Sequence, residues 1–507
     1  MTTMDQPDTT AERTPGVPTP VESRWLIALV FVGITLRLLV LLFRGDDLKT
    51  DPDVYVGIAQ TIVDGNGLCV PGSDQPTAFR PPVYPLLLAG LNLAGLKFTH
   101  AAGLINLVSG AVLIIGSWWM ARVIGLCGRW PAFAAAAAAL DPLLLRYTAL
   151  PMTESISAGL LTVAMLQILK LSAEQSASTA TVADSWPRLT CFNSRTAAPT
   201  SQNRFRQFVN CSNTTPRIKT ATVAGLCFGL AGLCRPVVFV MCAVVTLALL
   251  LAVMRRQGRT TRGQSDTSPD GQDRRLGFVR PACLAVLPAV VAGVVVLPWI
   301  VRNAVQFGDF IPATTHGGYT LLLGNNPVFF TEVVTAPGQP AWQGESLDRW
   351  QQEILADMVA DGVEPRNDVA IDKWNYDRAV RNIRQQPGVF LQACLLRWKR
   401  FWALQPSVTE TELPVLTATA VAIWYGVLWL GLGGSLFCAD FRRSGHIQLL
   451  WLAILSFLLL HTFYWTNTRM RAPLTGIIVV LSAVGWEAVF RRLSRGRDNT
   501  AVEAKSS

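Results

Sequence analysis

Long apolar runs alternate with polar, positively charged stretches along the chain. About 20 apolar residues are needed to cross the ~30 Å hydrocarbon core of a membrane as an α-helix. Runs at or near this length predict about ten membrane-spanning helices, at residues 25–43, 101–120, 131–150, 153–171, 222–233, 237–254, 281–300, 416–438, 449–465 and 474–490. A shorter run, residues 82–96, is interrupted by Pro85. We interpret it as a short re-entrant helix, with a full crossing as the alternative.

Clusters of lysine and arginine set the orientation of these helices. Basic residues are concentrated in residues 172–219, after residue 254, at 441–443 and after residue 490. By the positive-inside rule these stretches are cytoplasmic. Both termini are then cytoplasmic as well. The first loop, the segment 302–414 and the connection near residues 467–471 are external.

This orientation divides the chain into five parts. They are a disordered cytoplasmic tail (1–24), an N-terminal transmembrane module (25–301), an external soluble domain (302–414), C-terminal transmembrane helices (415–491) and a cytoplasmic tail (492–507). The N-terminal module includes the external first loop (44–80) and a polar cytoplasmic insert (172–219). The external domain is small and mainly helical, since its second half predicts helices at 345–361, 367–386 and 387–401. A Pro/Gly pair separates the last two.

The composition agrees with an all-α polytopic membrane protein. The chain has 507 residues, of which 50% are hydrophobic and only 15% charged, and its mean hydropathy is +0.34. A soluble chain usually has about 25% charged residues. The net charge of +10 reports orientation in the membrane, and we expect no nucleic-acid partner. Ten cysteines include no Cys-x-x-Cys pair and no Cys/His cluster with zinc spacing.

The first external loop contains the most informative polar residues. Four carboxylates lie within eight residues, at Asp46, Asp47, Asp51 and Asp53. They form either a solvated acidic turn or a site with a general base. The Asp51-x-Asp53 pair also fits a divalent cation, whose preferred ligands are oxygens. Further along, Arg80 stands among prolines that fix the backbone where the chain returns to the membrane.

A second cationic site lies near the other end of the chain. Arg469 and Arg471 join two spans on the external side, where the positive-inside rule disfavours them. They need an anionic partner, which is either a phosphate or the aspartates of the first loop. Glu154 lies just inside a span, and a carboxylate there is either paired or functional.

Six local motifs follow one another along the chain. They are Asp51-x-x-x-Tyr55, Arg80-Pro-Pro-x-Tyr84-Pro, Thr153-Glu154, Arg235-Pro, Arg302-Asn with Leu-Gly-Asn325-Asn326-Pro, and Arg469-x-Arg471-x-Pro. Together, and in this order, they resemble the motifs of the GT-C superfamily of polytopic glycosyltransferases. The likeness is greatest to the branch of protein mannosyltransferases, the lipid A aminoarabinose transferase and lipopolysaccharide sugar transferases.

This resemblance implies an inverting transferase that uses a polyprenyl-phosphate-linked sugar. Asp51 takes the place of the catalytic aspartate, with Asp53 as the second candidate because Pro52 replaces the glutamate that often follows the key aspartate. Arg80 matches the residue that holds the lipid phosphate, and Arg469 and Arg471 would stabilise the leaving group. Further pocket candidates are Tyr55, Tyr84, Glu154, Arg235, Arg302, Asn325 and Asn326.

The resemblance also implies the partners and the location. We expect a membrane-lipid environment and a glycan, lipid or protein acceptor on the periplasmic side of a bacterial inner membrane. Because arginines would surround the leaving phosphate, we expect no obligatory metal, with a divalent metal as the alternative. The chain contains no Trp-Trp-Asp-Tyr-Gly motif, so an oligosaccharyltransferase is not expected. The alternative function is a transporter or flippase of a lipid-linked glycan precursor, which also needs many helices and phosphate-binding arginines.

Overall fold

The computed structural model describes residues 19–179, 214–263, 271–405, 414–438 and 444–506. Within these ranges the chain is helical and contains no β-strand, only an isolated bridge between Cys69 and Pro76. The all-α fold is confirmed. Most of the polar insert and most of the N-terminal tail lie outside the described residues. Residues 20–24 of the predicted disordered tail are an exception, because they begin the first helix.

Seventeen α-helices of six residues or more organise the described chain. The N-terminal half contains α1 (Pro20–Arg44), α2 (Tyr55–Val63), α3 (Val83–Leu93), α4 (Phe98–Val123), α5 (Trp130–Ala139), α6 (Pro142–Tyr147), α7 (Glu154–Thr179), α8 (Thr214–Gly232), α9 (Val237–Gly263) and α10 (Gly271–Phe307). The C-terminal half contains α11 (Gly317–Gly324), α12 (Glu345–Ala360), α13 (Asp368–Gln385), α14 (Pro387–Phe401), α15 (Val415–Phe437), α16 (Gly445–His461) and α17 (Thr475–Ser506). Short helical turns cover Gly45–Lys49, Pro327–Phe329, Phe330–Val334 and Thr468–Leu474.

Seven helical stretches in the described chain are long and apolar enough to cross a membrane. They are Pro20–Lys49, Phe98–Val123, Glu154–Glu174, Val237–Arg255, Val279–Phe307, Val415–Phe437 and Thr468–Ser494. Two apolar helices, α3 and α16, are shorter. The 11 residues of α3 would extend about 16 Å. It is therefore too short for a full crossing, as expected of a re-entrant helix.

The expected span at residues 131–150 is wrong, and this partly explains why fewer spans are found than the ten expected. Helix α5 ends at Ala139 and α6 begins at Pro142. Proline cannot continue the hydrogen-bonding pattern of a helix, and the carboxylate of Asp141 instead accepts the Leu144 amide at 2.9 Å as the cap of α6. The carbonyl of Ala139, left open at the end of α5, accepts a hydrogen bond from buried Arg37 at 3.2 Å.

The interior of the helical bundle is built around α4, α7 and α17. In the most apolar stretch of Thr468–Ser494, which includes α17, 72% of the residues are buried, and the corresponding share for α7 is 67%. For α1 it is only 11%. Small residues allow the close approach, since a side chain at Gly476 would collide with Thr162 and one at Gly159 would meet the backbone of Ser109. The bundle therefore places the start of α7 and the turn before α17 next to each other.

The segment between α10 and α15 contains the helices expected there. Helices α12, α13 and α14 lie within one residue of the predicted bounds at both ends. They pack around an aromatic core that includes Trp342, Trp350 and Phe329.

Two polar contacts hold this segment over the bundle. Buried Arg397 donates to the Thr462 carbonyl at 2.9 Å, after the end of α16. Asp368, the first residue of α13, accepts hydrogen bonds from the Thr77 hydroxyl (2.6 Å) and the Ala78 amide (3.3 Å). The second contact fixes the end of the first loop against α13.

Candidate active site

Five charged side chains from separate parts of the chain meet in one cluster. Asp53 precedes α2, Arg80 precedes α3, Glu154 begins α7, Arg235 joins α8 to α9, and Arg469 lies in the turn before α17. We name this group the arginine–carboxylate cluster. Asp53 and Arg469, which meet directly, are 416 positions apart in the sequence.

Asp53 uses both carboxylate oxygens to hold arginines. Its Oδ1 accepts from Arg80 Nη2 at 3.0 Å and its Oδ2 accepts from Arg469, while Arg80 Nε also donates to the Asp53 carbonyl at 2.9 Å. Burial raises the pKa of this carboxyl, but the positive charges of Arg469 and Arg80 outweigh it and lower the pKa from 3.8 to about 2. Asp53 is thus ionised throughout the physiological pH range. Arg469 thus pairs with a first-loop aspartate, one of the two alternatives, while phosphate binding by Arg469 stays a prediction.

Glu154 organises the other side of the cluster. Its side chain is fully buried, and its Oε1 accepts hydrogen bonds from both Arg235 and Arg469. Arg235 Nε also donates to the Thr153 hydroxyl at 3.2 Å. The second oxygen, Oε2, is buried and has no hydrogen-bond partner among the described residues. Burying a carboxylate with one unpaired oxygen costs free energy unless cations surround it. Glu154 therefore requires both guanidinium groups next to it, and its Oε1 fixes them in place.

The charge balance of the cluster is positive. Three guanidinium groups and two carboxylates give 3 − 2 = +1. The three arginine side chains remain 11–20% exposed, whereas Glu154 is inaccessible. The cluster therefore presents fixed hydrogen-bond donors and one net positive charge to an anion that reaches it from the accessible side.

An unusual backbone conformation separates the two candidate aspartates. Val54 has φ 56° and ψ 23°, the left-handed region that β-branched residues rarely adopt. The turn directs the Asp53 carboxylate to the arginines, while the Asp51 carboxylate accepts the amides of Val56 (3.1 Å) and Gly57 (2.8 Å) at the start of α2. Asp51 therefore caps a helix, and the two carboxylates do not form the divalent-cation pair that their spacing allowed. Among the described residues, no group of three or more His, Cys, Asp or Glu side chains is placed to hold a metal ion.

Aromatic rings hold the Arg80 guanidinium in place. It lies 5.6 Å from the ring centre of Tyr55 and 4.9 Å from that of Phe79. Tyr55 in turn contacts Tyr84 edge to face, with ring centres 5.3 Å apart. The Tyr84 hydroxyl is buried and has no hydrogen-bond partner in the described structure. Tyr55 and Tyr84 are thus brought to the site as expected, as supports for Arg80.

Arg471 lies away from the cluster. Its Nη1 donates to the carbonyls of Phe401 (2.8 Å) and Ala403 (2.7 Å), and its guanidinium lies 4.2 Å from the ring centre of Tyr425. Arg469 and Arg471 belong to a 3₁₀ turn, in which side chains two positions apart point in different directions. The structure therefore brings only one of these two arginines to Asp53.

Three further candidates hold the backbone of neighbouring segments. Arg302 donates to the carbonyls of Thr77 and Leu68, both at 2.9 Å. Asn325 Nδ2 donates to the Phe463 carbonyl at 2.9 Å, and Asn326 Oδ1 accepts the amide of Phe329 at 2.8 Å. Both asparagines are buried. These residues shape the surroundings of the site, but their side chains are occupied by main-chain contacts.

The sequence interpretation did not include His316. This residue precedes α11, and its ring lies 4.3 Å from that of Phe79, next to Arg80. Burial, with the positive charge of Arg80 nearby, lowers the pKa of His316 well below 6.5. His316 could have been predicted from its position directly before Gly317-Gly318, which lies in the part of the chain covered by the family resemblance.

The fold has neighbours among solved structures. The archaeal oligosaccharyltransferase AglB from Archaeoglobus fulgidus, in complex with an inhibitory peptide and a dolichol-phosphate, matches with TM-score 0.47 and 16% identity over 95% of this chain and 52% of AglB. ArnT from Cupriavidus metallidurans, bound to undecaprenyl phosphate, matches with TM-score 0.37 and 16% identity over 91% of this chain and 78% of ArnT. The chain thus spans about half the length of AglB.

These likenesses concern the arrangement of helices only. No protein-family profile and no curated protein matches the sequence. The Trp-Trp-Asp-Tyr-Gly motif is absent from this chain, whatever its likeness to AglB. Both solved structures are 16% identical to this chain, and it is to the fold of these proteins that the chain is similar.

Proposed function

We propose that the chain is a membrane glycosyltransferase that moves a sugar from a polyprenyl-phosphate-linked donor to an acceptor hydroxyl, with inversion. The observation that carries this proposal is the arginine–carboxylate cluster. It offers three partly accessible guanidinium groups and a net charge of +1 at the edge of the helical bundle. A sugar linked to a lipid through one phosphate is a diester with a single negative charge, which complements the cluster.

The cluster also favours the products of the reaction. When the sugar leaves, the lipid phosphate becomes a monoester and its charge approaches −2 at neutral pH, as the second pKa of such groups is about 6. Arg80 and Arg469 are already fixed by Asp53, Glu154 and the aromatic rings, so little reorganisation is needed as this charge develops. Preorganised cations of this kind are among the largest contributions to catalysis.

Asp53 is the carboxylate that the geometry supports best as the base. When the donor phosphate takes over a guanidinium, the corresponding oxygen of Asp53 is released and accepts the proton of the acceptor hydroxyl. The acceptor oxygen then bonds to the anomeric carbon, and the electron pair of the breaking C–O bond moves to the phosphate. Asp51, first in order by resemblance, remains the competing assignment, since its two amide contacts leave lone pairs free.

The membrane orientation is part of the same proposal. The positive-inside rule places the cluster on the external face, which in a bacterial inner membrane is the periplasmic face. The exposed apolar surface of α1, with Phe31 69% and Leu42 75% exposed, is suited to lipid contact. A lipid tail can therefore lie against the bundle while its phosphate reaches the arginines.

The experiment uses purified full-length protein in nanodiscs. Undecaprenyl-phosphate-linked sugars are supplied as donors with a membrane extract as acceptor, and release of undecaprenyl phosphate is measured. We expect release from one donor, with strong loss in Asp53→Asn and Arg80→Ala. Folded protein that binds undecaprenyl phosphate yet releases none from any donor would refute this proposal. Movement of the donor between the leaflets of proteoliposomes by the same protein would then establish the transporter alternative.

A further inference from the structure

A row of aromatic rings extends from the donor-phosphate arginine. Phe79 lies under the Arg80 guanidinium, and His316 contacts Phe79 edge to face with ring centres 4.3 Å apart. Tyr319 follows, stacked against His316 at 5.4 Å with an interplanar angle of 28°. We name Phe79, His316 and Tyr319 the aromatic ledge. All three side chains are partly exposed, so the ledge is an accessible surface that begins at the proposed reaction centre.

Separate segments hold the ledge rigidly. Phe79 belongs to the end of the first loop, which Asp368 fixes to α13, whereas His316 and Tyr319 lie at the start of α11. Tyr319 packs on Trp350 of α12 with ring centres 6.3 Å apart, and its hydroxyl accepts a hydrogen bond from Gln351 at 2.7 Å. The rings are thus positioned by packing and by hydrogen bonds.

Polar groups lie between and beside the rings. His316 Nδ1 is buried and has no hydrogen-bond partner in the described structure. A neutral imidazole offers one N–H donor and one lone pair. Next to the ledge, the hydroxyls of Tyr376 and Tyr464 lie 3.2 Å apart, and Tyr376 fills the space where a side chain at position 317 would begin. Partly exposed aromatic rings therefore lie beside hydroxyl and imidazole groups.

We propose that the aromatic ledge binds the acceptor, and that this acceptor is a sugar ring whose hydroxyl is glycosylated. A pyranose presents one face of C–H groups, which packs on aromatic rings, and a rim of hydroxyls, which the imidazole and phenol groups can meet. The ledge leads directly to Arg80, so a sugar bound there places a hydroxyl next to the donor phosphate. This inference rests on the proposed function and specifies its acceptor as a carbohydrate.

The test is direct binding of defined sugars by saturation-transfer NMR on the full chain in nanodiscs. The probes are the methyl glycosides of glucose, galactose, mannose and arabinose, with a serine- and threonine-containing peptide as the rival acceptor class. Binding of a single sugar is weak, so we expect millimolar affinity and use probes at about 10 mM. At least one glycoside should receive saturation, strongest at the C–H protons of one ring face.

Matched variants assign the signal to the ledge. His316→Ala and Tyr319→Leu should lower the saturation about three- to tenfold, since a ring contact of this kind contributes that factor. Tyr319→Phe keeps the ring and should keep the signal. His100→Ala, at an exposed histidine of α4, controls for loss of a histidine elsewhere. Binding of undecaprenyl phosphate by each variant shows that it is folded.

Three outcomes overturn the inference. They are saturation of the peptide but of no glycoside, equal glycoside signals in His316→Ala and wild type, and no signal from any probe in protein that binds undecaprenyl phosphate. None of these affects the proposed function, which fails separately if no donor releases undecaprenyl phosphate.

Discussion

Replacing Asp53 by asparagine should change donor-phosphate binding and catalysis in opposite directions. In the free protein each oxygen of Asp53 holds one guanidinium, that of Arg80 or that of Arg469. An incoming phosphate must compete with this carboxylate for both groups. The asparagine side chain has nearly the same shape but no charge, so the net charge of the cluster rises from +1 to 3 − 1 = +2.

The size of the effect follows from these contacts. A hydrogen bond to a charged group contributes about 1.5–3 kcal/mol, and the side chains of this ion pair are only 12–20% exposed. If the phosphate no longer has to displace one such contact, its dissociation constant falls about 10- to 100-fold. Loss of the base should slow transfer about 10²- to 10⁴-fold.

Two measurements on the same preparation separate these effects. The affinity for undecaprenyl phosphate is measured by titration of the protein in nanodiscs, and transfer by the release of undecaprenyl phosphate from the donor. Asp51→Asn is the matched control, because it removes a nearby carboxylate that caps α2 without touching the arginines. The control should bind undecaprenyl phosphate with unchanged affinity.

The reasoning would be refuted by weaker phosphate binding in Asp53→Asn, because the carboxylate could not then be a competitor for the arginines. Normal transfer in Asp53→Asn together with lost transfer in Asp51→Asn would instead return the base assignment to Asp51. General misfolding predicts loss of both binding and transfer, and so cannot imitate tighter binding.

Four further predictions follow from the same contacts. Arg80→Ala should raise the dissociation constant of undecaprenyl phosphate about tenfold or more. Arg80→Lys should recover only part of the lost affinity, because lysine lacks the planar fork of the guanidinium group. Equal affinity in wild type and both variants would contradict this role of Arg80. Glu154→Gln leaves Arg235 without an anion and Arg469 with Asp53 alone, and should destabilise the fold by about 3–5 kcal/mol. The loss would be seen as a lower Tm, and an unchanged Tm would contradict the burial of Glu154. Val54→Asn, which suits a left-handed backbone better, should stabilise the fold by about 1 kcal/mol, and a lower Tm would disprove the strain. The pKa of Asp53 is about 2 in the folded protein, below its value in the unfolded chain. The ionised carboxylate therefore contributes fully to stability above about pH 4, and this contribution is lost as the pH falls towards 2. Over that pH range the Tm should fall more steeply in wild type than in Asp53→Asn.

The sequence predicted the helices well wherever composition and breaking residues agreed. Helices α12 to α14 were predicted to within one residue, and Gly362 after α12 and Pro387 between α13 and α14 mark the boundaries between them. For residues 131–150 the high apolar content predicted one continuous helix. Asp141 and Pro142 instead end one helix and begin the next, which the Asp141 carboxylate caps. Hydropathy records how apolar a run is, and does not record a capping hydrogen bond.

The site could be predicted only at the level of single residues. Arg80, Glu154 and Arg469 were recognised because charges are costly near the membrane. That Arg471 turns away depends on the 3₁₀ geometry of its turn, and the division of roles between Asp51 and Asp53 depends on the left-handed conformation of Val54. The spacing of residues in the sequence does not predict such backbone conformations. It also does not predict the contact between Phe79 and His316, which come from distant segments.

The meeting of Asp53 with Arg469 also bears on how the protein matures during synthesis. The two residues are separated by 416 positions, so most of the chain must be inserted before the ion pair can form. Until the last turn arrives, Asp53 lacks one partner and Glu154 shares its only paired oxygen with Arg235 alone. A chain that stops short of Arg469 therefore keeps Asp53 and Glu154 incompletely neutralised among the helices already present. The candidate active site is therefore completed only when the turn before α17 packs against the start of α7.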